Sequence, residues 1–335
     1  MIYIIILLCS FLCTLCIKKY ALKNNVIDIP NERSSHSTPT PRGGGLSVVI
    51  TFLVSLAVCI YIQGFDLFVG ISLFVGGALV AFIGFIDDHG HVDAKWRLLI
   101  HSIASFCVVY SVNGLPVLDI FGVEFDFGVF GYFLSVVAII WILNLFNFMD
   151  GIDGIAGVEA ITCTFFAGLF LSFISPESSL VTMLWLLTAS VSGFLLLNFP
   201  PAKIFMGDAG SGFLGFMLAV FALVSSTIDQ SMLWVWLILL GVFIVDATFT
   251  MVRRFARGEK IYEAHCSHAY QFASRKYSSH LKVTLSVLII NVFWLAPMAY
   301  LVINETLNGA SALCISYIPL IGLAIKYSAG AEQVE

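Results

Sequence analysis

Eleven stretches of this chain run for about twenty residues with almost no charge, near residues 1–17, 45–62, 67–86, 98–115, 130–147, 155–174, 179–197, 211–228, 231–250, 283–303 and 308–325. A helix rises 1.5 Å per residue, so about 20 apolar residues cross a hydrocarbon core of roughly 30 Å. No water reaches the backbone there, and a spanning segment must satisfy its own hydrogen bonds, which runs of this length do as helices. The expectation is an all-α polytopic membrane protein of about eleven transmembrane helices, or ten, forming one domain over residues 1–335. A chain that is 59% hydrophobic and 11% charged fits no ordinary soluble domain.

Charge gives the orientation, because Lys and Arg are retained on the cytoplasmic side. With the N-terminus outside, all 16 Lys and Arg fall in cytoplasmic segments: 18–42, 95–97, Lys203, 253–282 and Lys326. The opposite segments hold Asp66, Asp119, Glu124, Asp126, Glu177, Asp229 and Glu305 with no basic residue. The first run lacks the basic start of a signal peptide and carries Lys18, Lys19 and Lys23 after it, so it reads as a retained helix. Seven of the 8 Cys lie inside apolar runs and read as small hydrophobes, Cys13 and Cys16 included. The expected arrangement is a periplasmic N-terminus, a cytoplasmic C-terminus, and cytoplasmic loops at 18–44, 87–97, 148–154, 198–210 and 251–282.

Those loops hold nearly all the unusual chemistry. Asp87 and Asp88 stand where the third run leaves the membrane, with Lys95 and Arg97 close behind. Neighbouring side chains on a helix point about 100° apart, so the two carboxylates are expected to serve two partners rather than chelate one ion. Asn144, Asn147 and Asp150 are spaced by three and share a helical face, and Gly151 and Gly154 break the helix to return Asp153 to the same place. Amides and carboxylates beside glycines suit a hard cation such as Mg²⁺, which takes oxygen ligands.

Residues 198–212, NFPPAKIFMGDAGSG, put Gly207 and Asp208 at a glycine-rich helix start that Ser211 is expected to cap. Backbone N–H groups there can cradle a phosphate, with Lys203 nearby and Asp208 on a metal. The last large loop carries Arg254, Arg257, His265 and His268, suited to forked and neutral contacts with a pyrophosphate. In the first loop Arg33, His36 and Arg42 are placed to meet a lipid phosphate, although its Pro, Ser and Gly content means that other elements must order it.

Taken together, Asp87-Asp88, the N-x-x-N-x-x-D-G-I-D-G run, the F-M-G-D-A-G-S turn and the His-bearing loop resemble the polyprenyl-phosphate N-acetylhexosamine-1-phosphate transferases (glycosyl transferase family 4), in family order and spacing across nearly the whole chain. The resemblance implies a ten- or eleven-helix bundle with its active site in a cytoplasmic cleft of a bacterial inner membrane. It implies Mg²⁺, with Mn²⁺ able to substitute, on Asn147 and Asp208. Asp87, Asp88, Asp150, Asp153, Lys95 and His268 become catalytic candidates, and Asn144, Lys203, Gly207, Arg254, Arg257, His265, Arg42 and His36 substrate-binding ones.

The implied partners are a UDP-N-acetylhexosamine, undecaprenyl phosphate and membrane lipids, with no nucleic acid and room for a homodimer. His268-Ala269-Tyr270-Gln271 departs from the familiar His-x-His-His pattern, and the A-H-x-S-H-A-Y-Q form, Ala264 to Gln271, is similar to the branch that starts O-antigen or related surface glycans and unlike the muramoyl-pentapeptide branch. The rival reading from another class, a secondary transporter of a small anion, predicts midplane charges and related halves. Here the polar residues gather at cytoplasmic ends and no half-repeat appears.

Overall fold

The computed structural model describes residues 1–30, 36, 38–90, 92–259 and 266–331. Every apolar run is helical, and one short polar helix, α11, lies in the last large loop: α1 (Ile2–Lys23), α2 (Leu46–Gln63), α3 (Leu67–His89), α4 (Ala94–Ser111), α5 (Gly128–Met149), α6 (Ile155–Ile174), α7 (Ser179–Asn198), α8 (Asp208–Ser226), α9 (Ser231–Leu239), α10 (Gly241–Ala256), α11 (Ala269–Tyr277), α12 (His280–Ile290), α13 (Ala296–Ile303) and α14 (Gly309–Lys326). Among the described residues eight helices are long and apolar enough to cross a membrane, or up to nine if the bent α9–α10 pair is one span. The expectation of eleven also counted α2, whose apolar part is Leu46–Ile62, and α4.

At the centre stands α8, buried from Ala209 to Ser226. It packs on α3 and α5 in particular, while α1 lies at the edge against α7 and α2. Small residues permit this close packing. A Cβ on Gly210 would lie 2.6 Å from the Gly45 Cα, and one on Gly84 would lie 2.6 Å from the Asp208 carbonyl oxygen.

Two interruptions have identifiable causes. At Leu240–Gly241 the ninth run bends by 69°. Carbonyls freed near the break still need partners inside the bundle, and the Tyr317 hydroxyl donates to Leu237 O at 2.8 Å while the Cys163 thiol donates to Leu239 O at 3.4 Å. Between α12 and α13 the chain takes a π-turn at Asn291–Leu295. Pro297 follows, and it can supply no N–H to the turn before it. Asn291 Nδ2 there donates to Glu159 Oε2 and Thr162 Oγ1, both at 2.7 Å. Glu159 therefore sits in a bundle-facing hydrogen bond, and no disulfide joins the cysteines, all of which lie among the described residues.

Two small antiparallel ribbons were not foreseen. β3 (Leu118–Ile120) pairs with β4 (Val123–Phe125) beyond α4. β1 (Ile27–Asp28) pairs with β2 (Thr40–Pro41) in the first loop. The first loop is then tied down further, because Phe205 N–H donates to Pro41 O, Gly44 N–H to Phe205 O and Gly45 N–H to Met206 O, all within 2.9 Å.

Candidate active site

The site grows from the N-terminus of α8. Four N–H groups at a helix start lack intrahelical partners, and here a carboxylate from another helix serves two of them. Asp88, at the end of α3 and 4% exposed, accepts from Asp208 N–H at 3.0 Å and Ala209 N–H at 3.1 Å. This corrects two expectations. The helix begins at Asp208 with Gly207 as N-cap, three residues before Ser211. The N–H groups expected to cradle a phosphate are filled by Asp88, whose charge suits the positive helix end. Gly207 has φ +79, and a Cβ there would lie 2.7 Å from Asp88 Oδ2, so only glycine lets the turn close on that carboxylate. Ser211 instead donates its hydroxyl to Asn147 Oδ1 at 2.8 Å, fixing the amide.

Asp87 and Asp88 make different contacts, although both meet Asp208, Asp88 through its backbone and Asp87 through its side chain. Asp87 accepts from Val92 N–H at 2.8 Å and from Arg97 Nη1 at 2.7 Å. The same Arg97 nitrogen lies 3.7 Å from Asp208 Oδ2, so Arg97 bridges α3 and α8. Arg42 donates to the Asp88 carbonyl oxygen and holds its Nε 3.9 Å from Asp88 Oδ1.

The α5–α6 loop supplies the facing wall. Asp150 is the C-cap of α5, and Gly154, at φ +73, starts α6. Between them Asp153 accepts from Ala202 N–H at 3.0 Å and pairs with His280 at 3.2 Å, while Thr284 donates to its carbonyl oxygen at 2.8 Å. Asn198 locks this loop to the next one, accepting from Gly154 N–H and donating to Ile204 O. These groups enclose a cleft of about 270 Å³, lined by Asp88, Asn147, Asp150, Asp153, Gly207 and Asp208, with Asp28, His36, Arg42, Gln271 and His280 around them.

Several candidates fall elsewhere, for geometric reasons. Lys95 is exposed and pairs with Asp93 at 3.2 Å. It is two residues from Arg97 on one helix, about 200° around the axis, so only one of the two can face the cleft. Asn144 donates to Ile140 O at 2.7 Å, one turn deeper. A spacing of three falls 60° short of a full turn, and by the second step Asn144 has rotated off the lining face. Lys203 is exposed outside the lining.

The last loop also turns most of its candidates away. Arg254 and Arg257 both pair with Glu259. His268 is buried beside Asp246 at 3.5 Å, because Asp246 accepts from Ala269 and Tyr270 N–H and caps α11 as Asp88 caps α8. Gln271, one turn on, lines the cleft instead. Arg33 and His265 lie outside the described residues.

The electrostatics are unbalanced. Burial first, then the charges of Asp208, Asp88 and Asp153, push the Asp150 carboxyl well above its ordinary range. For Asp153 burial acts upward too, but the His280 hydrogen bond, the Ala202 N–H and the charges of His280 and His36 outweigh it and hold the group low. A cation beside Asp150 and Asp208 would relieve this repulsion. Among the described residues no three His, Cys, Asp or Glu side chains form a complete metal shell. Mg²⁺ needs none, since it binds through one or two carboxylates and keeps waters or substrate oxygens. Asp208, Asp150 and the second lone pair of Asn147 Oδ1 fit that requirement.

The sequence profile of glycosyl transferase family 4 matches residues 70–226. The chain is 32% identical over 297 residues to the probable undecaprenyl-phosphate N-acetylglucosaminyl 1-phosphate transferase of Bacillus subtilis (strain 168), covering 86% of this chain and 80% of the relative. It is 30% identical over 274 residues to the undecaprenyl-phosphate alpha-N-acetylglucosaminyl 1-phosphate transferase of Salmonella typhi, covering 77% and 71%. It is 26% identical over 236 residues to the phospho-N-acetylmuramoyl-pentapeptide-transferase of Streptococcus pneumoniae serotype 2, covering 68% and 70%.

Proposed function

The chain belongs to glycosyl transferase family 4, and we propose that it transfers a hexosamine 1-phosphate from a UDP-N-acetylhexosamine to undecaprenyl phosphate, releasing UMP. Relatives at 30% identity or more, those of Bacillus subtilis and Salmonella typhi among them, are named N-acetylglucosaminyl 1-phosphate transferases, which makes UDP-N-acetylglucosamine the first donor to try. In this reading the product is the lipid on which an O-antigen or related surface polysaccharide is begun. The cleft opens to the cytoplasm of a bacterial inner membrane, with the N-terminus outside. The observation that carries it is the convergence of Asn147 and Asp150, at the end of α5, with Asp208, at the start of α8, on one cleft whose carboxylates repel one another.

An oxygen of the lipid phosphate attacks the β-phosphorus of the donor. A new P–O bond forms, the bond from that phosphorus to the bridging oxygen breaks, and its electron pair leaves with UMP. A phosphate monoester is largely a dianion at neutral pH, its second pKa being about 6, so the attack needs no strong base. Mg²⁺ held on Asp208, Asp150 and Asn147 would supply charge neutralisation for the pyrophosphate and the departing UMP.

The chain's own residues set the geometry. Asp88 positions the Gly207–Asp208 turn. Asp87 orients Arg97 behind Asp208, and the Arg42 guanidinium stands at the cleft itself, beside the phosphates. His280 holds Asp153 against the 198–207 loop, and Gln271 and His36 complete the rim. Placement and charge, rather than proton transfer, then account for the rate.

The test is UMP release from UDP-N-acetylglucosamine by membranes supplied with undecaprenyl phosphate and Mg²⁺. Release should need both lipid and ion, and Asp208→Ala should abolish it. Unchanged release by folded Asp208→Ala, or release without the lipid, would overturn the assignment.

A further inference from the structure

A second concavity, of about 380 Å³, lies on the other side of α11 and is walled by α10, α11, α12 and α14. Its inner end is apolar, with Val242, Val287, Ile290 and Leu320. Tyr277, Lys282 and Tyr327 form its mouth. From Leu320 to Tyr327 is seven helical steps, roughly 10 Å, enough to take part of an acyl chain alongside α14.

Three ammonium groups converge on that mouth. The Tyr277 and Tyr327 hydroxyls hydrogen-bond at 3.0 Å. Lys276 and Lys326 hold their nitrogens 5.8 Å and 5.6 Å from the Tyr327 ring centre. The Tyr277 hydroxyl is held below its usual range first by that hydrogen bond and then by Lys276, Lys326 and Lys282 together. Among the described residues no carboxylate pairs with these lysines.

We propose that this groove holds one resident anionic glycerophospholipid, its phosphate among Lys276, Lys282 and Lys326 and an acyl chain between α12 and α14. Scattered lysines at a membrane surface only attract bulk anionic lipid. Here they crown a cavity that continues into the bundle, which selects a single molecule.

The acceptor substrate does not fit this description. Its phosphate must reach the cleft where Gln271 looks in, whereas the lysines gather at the opposite end of α11, where Lys276 stands five residues or roughly 7.5 Å beyond Gln271. Tyr270, buried and donating its hydroxyl to Phe148 O at 3.0 Å, walls off one space from the other. The lipid's role is to support α11. That helix has nine residues, and Ala269, Tyr270 and Ala273 on its groove side gain packing from an occupant while Gln271 faces the cleft.

The site rests on the membrane reading of the bundle, and only its effect on turnover rests on the proposed reaction. The test loads full-length protein into nanodiscs of mixed phosphatidylglycerol and phosphatidylcholine, extracts it in neutral detergent and counts retained lipid by native mass spectrometry. One phosphatidylglycerol should remain on the wild type. Each Lys→Ala change should weaken retention about fivefold, and the triple Lys276→Ala, Lys282→Ala, Lys326→Ala should retain none.

Ser286→Trp, which fills the groove and leaves every lysine in place, should also retain none. Equal retention of phosphatidylcholine, or undiminished retention by Ser286→Trp, would overturn the site, as would displacement by undecaprenyl phosphate. If lipid is retained as expected and UMP release is absent under all donors, the lipid site stands and the proposed reaction falls.

Discussion

Asp88→Asn is the most informative single perturbation, because it changes the α8 cap without changing its size. The carboxylate accepts from two buried N–H groups, those of Asp208 and Ala209. An asparagine oxygen can keep one of these bonds, and its NH₂ then faces the other donor. Leaving one buried donor unpaired costs about 1–3 kcal/mol. Removing the charge from the helix N-terminus costs up to ~2 kcal/mol in a buried setting. Together they predict a loss of about 2–4 kcal/mol.

At roughly 2–4 °C per kcal/mol, the scaling for soluble domains of somewhat smaller size, that is a fall of about 5–10 °C in the melting temperature in detergent. The functional loss should exceed the stability loss. Asp208 is the first residue of α8, and a displacement of about 1 Å can cost ~10²-fold in rate. UMP release measured well below the melting temperature, across a Mg²⁺ titration, should show a fall in turnover of that order and a higher half-saturating Mg²⁺ concentration. Wild-type melting and wild-type turnover in Asp88→Asn would refute the reasoning, since they would mean that the cap neither holds α8 nor places Asp208.

Three further outcomes are expected. The raised Asp150 favours its protonated form, so the ion-free protein is relatively stabilised at low pH and loses that stabilisation as pH rises beyond the ordinary carboxylate range of about 4. Mg²⁺ must displace that proton, and the rise in melting temperature that Mg²⁺ produces should therefore grow with pH; a pH-independent increment would argue against the ion sitting beside Asp150. The lowered Asp153 contributes stability above its unfolded pKa that is lost as pH falls through the folded value, so His280→Ala should lower stability near neutrality by about 1–2 kcal/mol, a difference that melting curves should show closing in acid. Arg97→Ala should cut UMP release by about 10²-fold, as loss of a preorganised charge does, whereas Lys95→Ala should alter stability by no more than about 0.5 kcal/mol and leave turnover near wild type.

The contrast between Lys95 and Arg97 shows where sequence reading stops. Both were visible beside Asp87-Asp88, and only the phase of α4 decides which one reaches the carboxylates. Asn144 failed for the same reason, a helical rotation too small to see in a three-residue spacing. Asn147, Asp150, Asp153 and Asp208 were readable because amides and carboxylates at the ends of apolar runs need a purpose that bland loops do not.

The residues that sequence reading missed act across long separations. Asn198 ties two loops, and His280 reaches Asp153 from 127 positions away. Asn198 and Gln271 lay within motifs already singled out, but nothing local marks an amide as a bridge. Ser211 was the natural local cap for α8, and a carboxylate 120 positions away took its place. The helical runs were legible throughout because the bilayer imposes them one at a time, whereas the carbonyls beside the 69° bend at Leu240–Gly241 are met by Tyr317 and Cys163, which arrive from other helices.

The complete enclosure of α8 sets how substitutions along it will be tolerated. A helix at the edge, such as α1, has one face against the bundle and one against lipid, so tolerance along it should rise and fall every three to four positions. From Ala209 to Ser226 there is no permissive face. A saturation scan should therefore register α8 as an unbroken band of intolerance, with even its far end, a full bilayer depth from Asp208, as exacting as the turn that begins it.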